Sequence, residues 1–125
     1  MAEPPPAELS GRRVLVVEDD AMVGLGLVTF LEQLGADATW AAALAPALAT
    51  AGSADRFDLA IVDFNLDGEM STPVLDLLLT REIPTILCTG YDLASIPSRF
   101  HSLPRSEKPF TRARMRRLIA DRLQA

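Results

Sequence analysis

The chain contains only one cysteine, one histidine, one tryptophan, one tyrosine and one lysine. A single Cys88 cannot form an internal disulfide, and its place in an apolar run marks it as a buried thiol. A single His101 excludes a multi-histidine metal site and reads as a loop residue. No apolar stretch approaches the roughly 18 residues needed to cross a bilayer. Residues 1–10 hold three consecutive prolines and lack the charged-then-apolar order of a secretory signal. They read as a flexible leader, and residues 11–125 as one domain. These absences point to a cytoplasmic protein, neither secreted nor membrane-bound.

The 125 residues are 49% apolar, which is enough for one core without disulfides or a structural metal. Net charge is −5. Arg112, Arg114, Arg116, Arg117 and Arg122 face only Asp121 in the last turns of the chain, so the remainder is more acidic than the total shows. An acidic body argues against nucleic-acid binding, and the arginines read as a solvated helix face.

Short apolar runs alternate with helical periodicity. Arg13–Val17 reads as a buried strand that stops at Glu18-Asp19-Asp20. Val23, Leu27, Phe30, Leu31 and Leu34 recur at helical spacing, and Gly35 supplies a stop. Gly24 and Gly26 weaken that helix. Ala36–Trp40 predicts a second strand, and Ala41–Ala51 a second helix ending at Gly52. Leu59–Val62 is a third strand, closed by Asp63. A polar loop from Asn65 to Ser71 precedes a helix over 73–80, with Pro73 in its first turn. Ile83–Thr89 is a fourth strand. Pro97 leaves the 91–100 stretch a poor helix. Ser102–Glu107 predicts a short fifth strand, which Pro104 confines to a sheet edge. Thr111 starts a last helix with Met115, Leu118, Ile119 and Leu123 on its apolar face. The alternation implies an α/β parallel sheet covered on both faces.

In such a sheet, ligands bind at the carboxyl ends of the strands. Glu18, Asp19 and Asp20 close the first strand, Asp63 the third and Thr89 the fourth, and Lys108 follows the fifth. Clustered carboxylates repel one another unless a cation joins them, and a hard, oxygen-seeking Mg²⁺ suits such a set. An aspartate there is a nucleophile for phosphorus, and phosphoryl transfer asks mainly for positioning and charge neutralisation. Lys108 stands out because the other eleven basic residues are arginine. A compact ammonium and a guanidinium are not interchangeable where a point charge meets a phosphoryl oxygen. Asp20 has two readings of equal weight, metal ligand or helix cap.

Val14–Asp20 (VLVVEDD), Leu59–Asp63 (LAIVD), Thr89 and Lys108-Pro109-Phe110 (KPF) resemble the receiver domain of two-component response regulators over roughly residues 12–123. The resemblance implies a flavodoxin-like, doubly wound five-stranded parallel sheet of order 2-1-3-4-5 with five helices, the fourth weak or irregular here. It implies Asp63 as phosphoacceptor, and Glu18, Asp19, Asp63 and the Asn65 carbonyl around Mg²⁺. Thr89 and Lys108 resemble the family's switch hydroxyl and lysine. The segments DFNLDGEM with Pro73 and PTILCTGY are similar to an atypical single-domain group with a Thr-Gly-Tyr turn. Arg105 stands where most receivers carry an aromatic switch residue, so Tyr91 or a mobile 91–101 segment is expected to take over signalling.

The expected function is therefore a single-domain response regulator. It takes a phosphoryl group from a histidine kinase or phosphotransfer protein onto Asp63 and acts as a monomer, through protein contacts or as a phosphate sink. It is not an enzyme beyond its own phosphorylation and dephosphorylation. The alternatives are a phosphorylation-independent receiver-like adaptor, and a small phosphatase, which wants an acid where Asn65 stands. Asp63–Gly68 also imitates a calcium loop but offers Val74 where a bidentate Glu is needed. Gly24-Leu25-Gly26 lacks the third glycine of a dinucleotide fingerprint.

Overall fold

The computed structural model describes residues 8–90, 92–108 and 111–124. Its elements follow in the order β1 (Arg13–Val17), α1 (Ala21–Gln33), β2 (Asp37–Ala41), α2 (Leu44–Ala51), β3 (Leu59–Asp63), β4 (Asn65–Leu66), β5 (Glu69–Met70), α3 (Thr72–Thr80), β6 (Thr85–Thr89), β7 (Arg105–Glu107) and α4 (Arg112–Gln124). Five strands form one parallel sheet of order β2-β1-β3-β6-β7, the predicted 2-1-3-4-5 arrangement with the small β4–β5 hairpin set apart.

Side chains alternate across a strand, so each central strand feeds both faces. Leu15, Val17, Ala60, Val62 and Leu87 pack under α2 and α3 with Phe57, Val74, Leu75 and Leu78. Val14, Val16, Leu59, Ile61, Ile86 and Cys88 pack under α1 and α4 with Leu27, Phe30, Leu31, Met115 and Ile119. Both cores depend on the apolar runs inside three strands, Val14–Val17 of β1, Leu59–Val62 of β3 and Ile86–Cys88 of β6, each buried on both faces.

Helix ends follow local chemistry. Asp20 caps α1, its carboxylate accepting from the N–H groups of Met22 (2.9 Å) and Val23 (3.2 Å). Gly35, at φ 94°, ends α1: its N–H reaches the Glu32 carbonyl, and the Ala36 N–H reaches that of Leu31. Thr111 Oγ1 accepts from the Arg114 N–H at the start of α4.

Several boundaries differ from the sequence reading. β2 lies one residue later than expected, and α2 starts at Leu44 because Ala43 is extended. The loop over 65–71 is a hairpin whose turn, Asp67 (φ 53°) and Gly68 (φ 91°), takes the left-handed pair that a two-residue connection requires. The resemblance implied five helices; among the described residues four are α-helical. Two 3₁₀ turns, Leu93–Ser95 and Ser98–Phe100, stand where the fourth helix would be, in keeping with its predicted weakness. Residues 8–10, assigned to the leader from sequence, form a turn in which Leu9 is buried and its N–H donates to the Leu34 carbonyl. No helix among the described residues is long and apolar enough to cross a membrane.

Candidate functional site

Parallel strands deliver their last residues to one rim, and the rim is where this chain places its charge. Glu18 follows β1, and its backbone N–H donates to the Ala41 carbonyl at the end of β2 (3.1 Å). Asp63 ends the neighbouring strand β3, in register with Cys88 of β6. Thr89 ends β6, and its carbonyl accepts from the Lys108 N–H (3.3 Å), which ties β6 to the residue after β7.

The side chains converge. Lys108 Nζ donates to Glu18 Oε1 and to Asp63 Oδ2, both at 2.8 Å. Asp63 Oδ1 accepts from the Asn65 N–H (3.3 Å), while Asn65 Oδ1 accepts from the Gly68 N–H (2.7 Å) and closes the hairpin turn. Ser71 turns the chain back, its N–H (2.8 Å) and hydroxyl (3.1 Å) both donating to the Phe64 carbonyl. The loop after Asp63 is thus fixed by its own hydrogen bonds. Sequence reasoning took it for a polar loop and missed the strand pairing, although Asp67-Gly68 was a usable hairpin signal.

Burial sets the electrostatics. Glu18 and Asp63 are buried, whereas Asp19 is exposed. Burial, followed by the neighbouring Asp63 carboxylate, pushes the Glu18 pKa up to about 8 against the opposing pull of Lys108. Burial works to lower the pKa of Lys108, but its hydrogen bonds to Asp63 and Glu18 prevail and hold it above the ordinary lysine range. Cys88 sits just behind, its thiol pushed up to about 12 by burial.

Glu18, Asp19 and Asp63 each present a carboxylate oxygen within 4.8 Å of the others. Ligand oxygens around an octahedral Mg²⁺ are roughly 3 Å apart when adjacent and roughly 4 Å when opposite, so this set needs to close by up to about 2 Å, within reach of side-chain rotation. Glu18 Oε2 is buried and has no hydrogen-bond partner among the described residues, a costly state that a bound cation would relieve. One ammonium stands against three carboxylates. The donor set is all oxygen, and it fits a hard divalent ion.

Of the residues singled out from sequence, Glu18, Asp19, Asp63 and Lys108 meet at one place, and Thr89 and Asn65 are hydrogen-bonded to members of that group through the backbone. Asp20 is occupied as a cap and is not part of the carboxylate cluster. Tyr91, Pro109 and Phe110 lie outside the described residues. Trp40, placed by the sequence reading at the end of the second strand, donates its indole N–H to the Glu18 carbonyl (2.8 Å).

No family model matches the chain, and no curated protein does either. Solved structures do. SdrG from Sphingomonas melonis Fr1 is 36% identical, with a TM-score of 0.76 over 91% of this chain and 97% of that one. The CheY-like response regulator receiver domain protein of Methanospirillum hungatei JF-1 is 26% identical, with a TM-score of 0.80 over 90% of this chain and 94% of its own. The receiver domain of sensor histidine kinase PA1611 from Pseudomonas aeruginosa PAO1, a structure with magnesium coordinated in the active-site cleft, has a TM-score of 0.77 at 22% identity and covers 93% of this chain and 100% of its own. With the strand order, the carboxylate rim and these likenesses together, the chain belongs to the receiver domains of response regulators.

Proposed function

We propose that the protein accepts a phosphoryl group on Asp63 from a phosphohistidine of a histidine kinase or phosphotransfer protein, with Mg²⁺ held by Glu18, Asp19, Asp63 and the Asn65 carbonyl. A carboxylate oxygen of Asp63 attacks phosphorus, the P–N bond breaks, and the imidazole nitrogen leaves with the electron pair. The bound cation supplies charge neutralisation on the phosphoryl oxygens. Lys108 uses two of its three donors on Glu18 and Asp63, and it passes one to a phosphoryl oxygen as the new group forms. The Thr89 hydroxyl, at the end of the adjacent strand, binds a second. The chain catalyses only its own phosphorylation and later hydrolysis.

The single observation that carries this reading is the position of Lys108 Nζ, 2.8 Å from both a buried glutamate and the aspartate at the end of the central strand. An apolar groove of about 460 Å³ leads from Lys108 between α1 and α4, lined by Met22, Leu27, Phe30 and Met115, and offers a donor protein a surface beside the acceptor. The phosphorylated form then signals through protein contacts or drains phosphate from a shared donor. Such a role belongs in the cytoplasm.

Incubation with acetyl phosphate and Mg²⁺, followed by intact-mass measurement, tests the reading. Wild type is expected to gain one phosphoryl group, and neither Asp63→Asn nor wild type in EDTA should do so. A label that persists in Asp63→Asn would refute the assignment.

A further inference from the structure

Trp40 is the only tryptophan, and it belongs to neither apolar core. It lies on β2, the edge strand of the sheet, opposite Val16 of β1, with 37% of its surface exposed. An indole so placed can satisfy its N–H with water. Instead it donates to the Glu18 carbonyl at 2.8 Å. That carbonyl belongs to the peptide joining Glu18 to Asp19, the two carboxylate residues contributed by this loop. Next along β2, the Ala41 carbonyl accepts from the Glu18 N–H at 3.1 Å. The end of β2 therefore grips Glu18 from both sides of its backbone. Gly24 completes the arrangement: it is buried in α1, and a methyl group there would collide with the Trp40 ring. This contact accounts for a glycine that otherwise costs about 1 kcal/mol inside a helix.

We infer that Trp40 is a positioning residue for the cation site, orienting the Glu18–Asp19 peptide so that both carboxylates face Asp63. Gly24 is the space that lets the ring do so. The inference rests on the Mg²⁺ site proposed above.

The test is calorimetric titration of Mg²⁺ into the full chain, with urea unfolding measured alongside. Trp40→Phe keeps a ring and removes the donor; loss of one such hydrogen bond is expected to weaken Mg²⁺ binding about fivefold. Gly24→Ala leaves Trp40 in the sequence but displaces its ring, and it should also weaken binding although alanine favours the helix. Phe57→Leu, a core change just before β3 at the far end of that strand, serves as control: it should lower stability and leave Mg²⁺ affinity unchanged. In wild type, indole emission should shift on Mg²⁺ addition, with the same midpoint as the calorimetric curve. Wild-type affinity in both Trp40→Phe and Gly24→Ala would overturn the inference alone. An equal loss of affinity in Phe57→Leu would also overturn it, by showing that general destabilisation suffices. A wild type that binds no Mg²⁺ would overturn the proposed site and this inference together.

Discussion

Lys108→Met removes one charge and keeps an unbranched stem. In the native chain Nζ lies 2.8 Å from Glu18 Oε1 and Asp63 Oδ2, whose side chains are 2% and 8% exposed. The variant leaves both carboxylates buried without their cation. Breaking a fully buried pair costs about 3–5 kcal/mol, and the partial exposure of the lysine lowers the expected loss to about 2 kcal/mol in EDTA. The same change removes a positive charge on the order of 5 Å from any cation held by the cluster; even under bulk-water screening that repulsion is about 1.7 kcal/mol for a divalent ion. Mg²⁺ should therefore bind the variant about twentyfold more tightly than wild type. Two effects of opposite sign are thus expected from one substitution: a lower urea midpoint without metal, and a tighter calorimetric Kd with it. The tighter-binding variant should nevertheless be labelled more slowly by acetyl phosphate, because no ammonium meets the incoming oxygens. Unchanged or weaker Mg²⁺ binding in a folded Lys108→Met would refute the reasoning, since it would mean that ammonium and cation do not compete for these oxygens.

Two further outcomes follow from the surroundings of the site. The Cys88 thiol, pushed up to about 12, stays protonated in the folded chain while an unfolded thiol ionises from about pH 9. A raised folded pKa means stability that is complete below pH 9 and declines as pH rises towards 12, so urea unfolding should show wild type losing about 1 kcal/mol more than Cys88→Ala between pH 8 and pH 10. Asp20→Ala should cost about 1 kcal/mol of stability through loss of the α1 cap and leave Mg²⁺ affinity near wild type. Asp19→Ala should do the reverse, and calorimetry with urea unfolding separates the two.

Strand identity and the rim of the sheet were legible because both are written in residue type. Fully apolar runs such as Leu59–Val62 suit only a strand covered on both faces, and each run that matters ends in a group able to bind or react. Roles that depend on geometry were not legible. Glu18, Asp19 and Asp20 are chemically near-equivalent as letters; the turn of the chain gives one to Lys108, exposes the second, and spends the third on the N–H groups of α1. Gly35 announced the end of α1. The same left-handed position at the end of α3 is taken by Glu82 (φ 57°), whose N–H reaches the Leu79 carbonyl while that of Ile83 reaches Leu78, and no glycine marks it. Trp40 was invisible for a different reason: its partner is a backbone carbonyl, which every residue carries.

The segment after Thr89 limits how far a change at Asp63 can travel. Its second half is anchored: Ile96, Phe100 and Leu103 are buried in the α2–α3 core. Arg99 grips Asp76 of α3 through two hydrogen bonds, at 2.8 and 3.0 Å, with its guanidinium 4.5 Å from the Phe100 ring centre. Residues 92–95 are exposed and carry only a single 3₁₀ turn. Between them and the acceptor stands Thr89, buried and bonded through its carbonyl to Lys108. In the proposed reaction, a shift of Lys108 towards the phosphoryl group would pull on the start of this segment and meet resistance from its end. Under the proposed function, the response is expected in exposed residues 92–95, near Arg105, which stands where most receivers place an aromatic switch. Local freedom beside a fixed anchor is what a switch needs, because low-stability segments are the ones that move at small cost. Under the proposed function, a Thr89–lysine linkage with a packed 96–103 half is expected to transmit the charge change without an aromatic residue on β7.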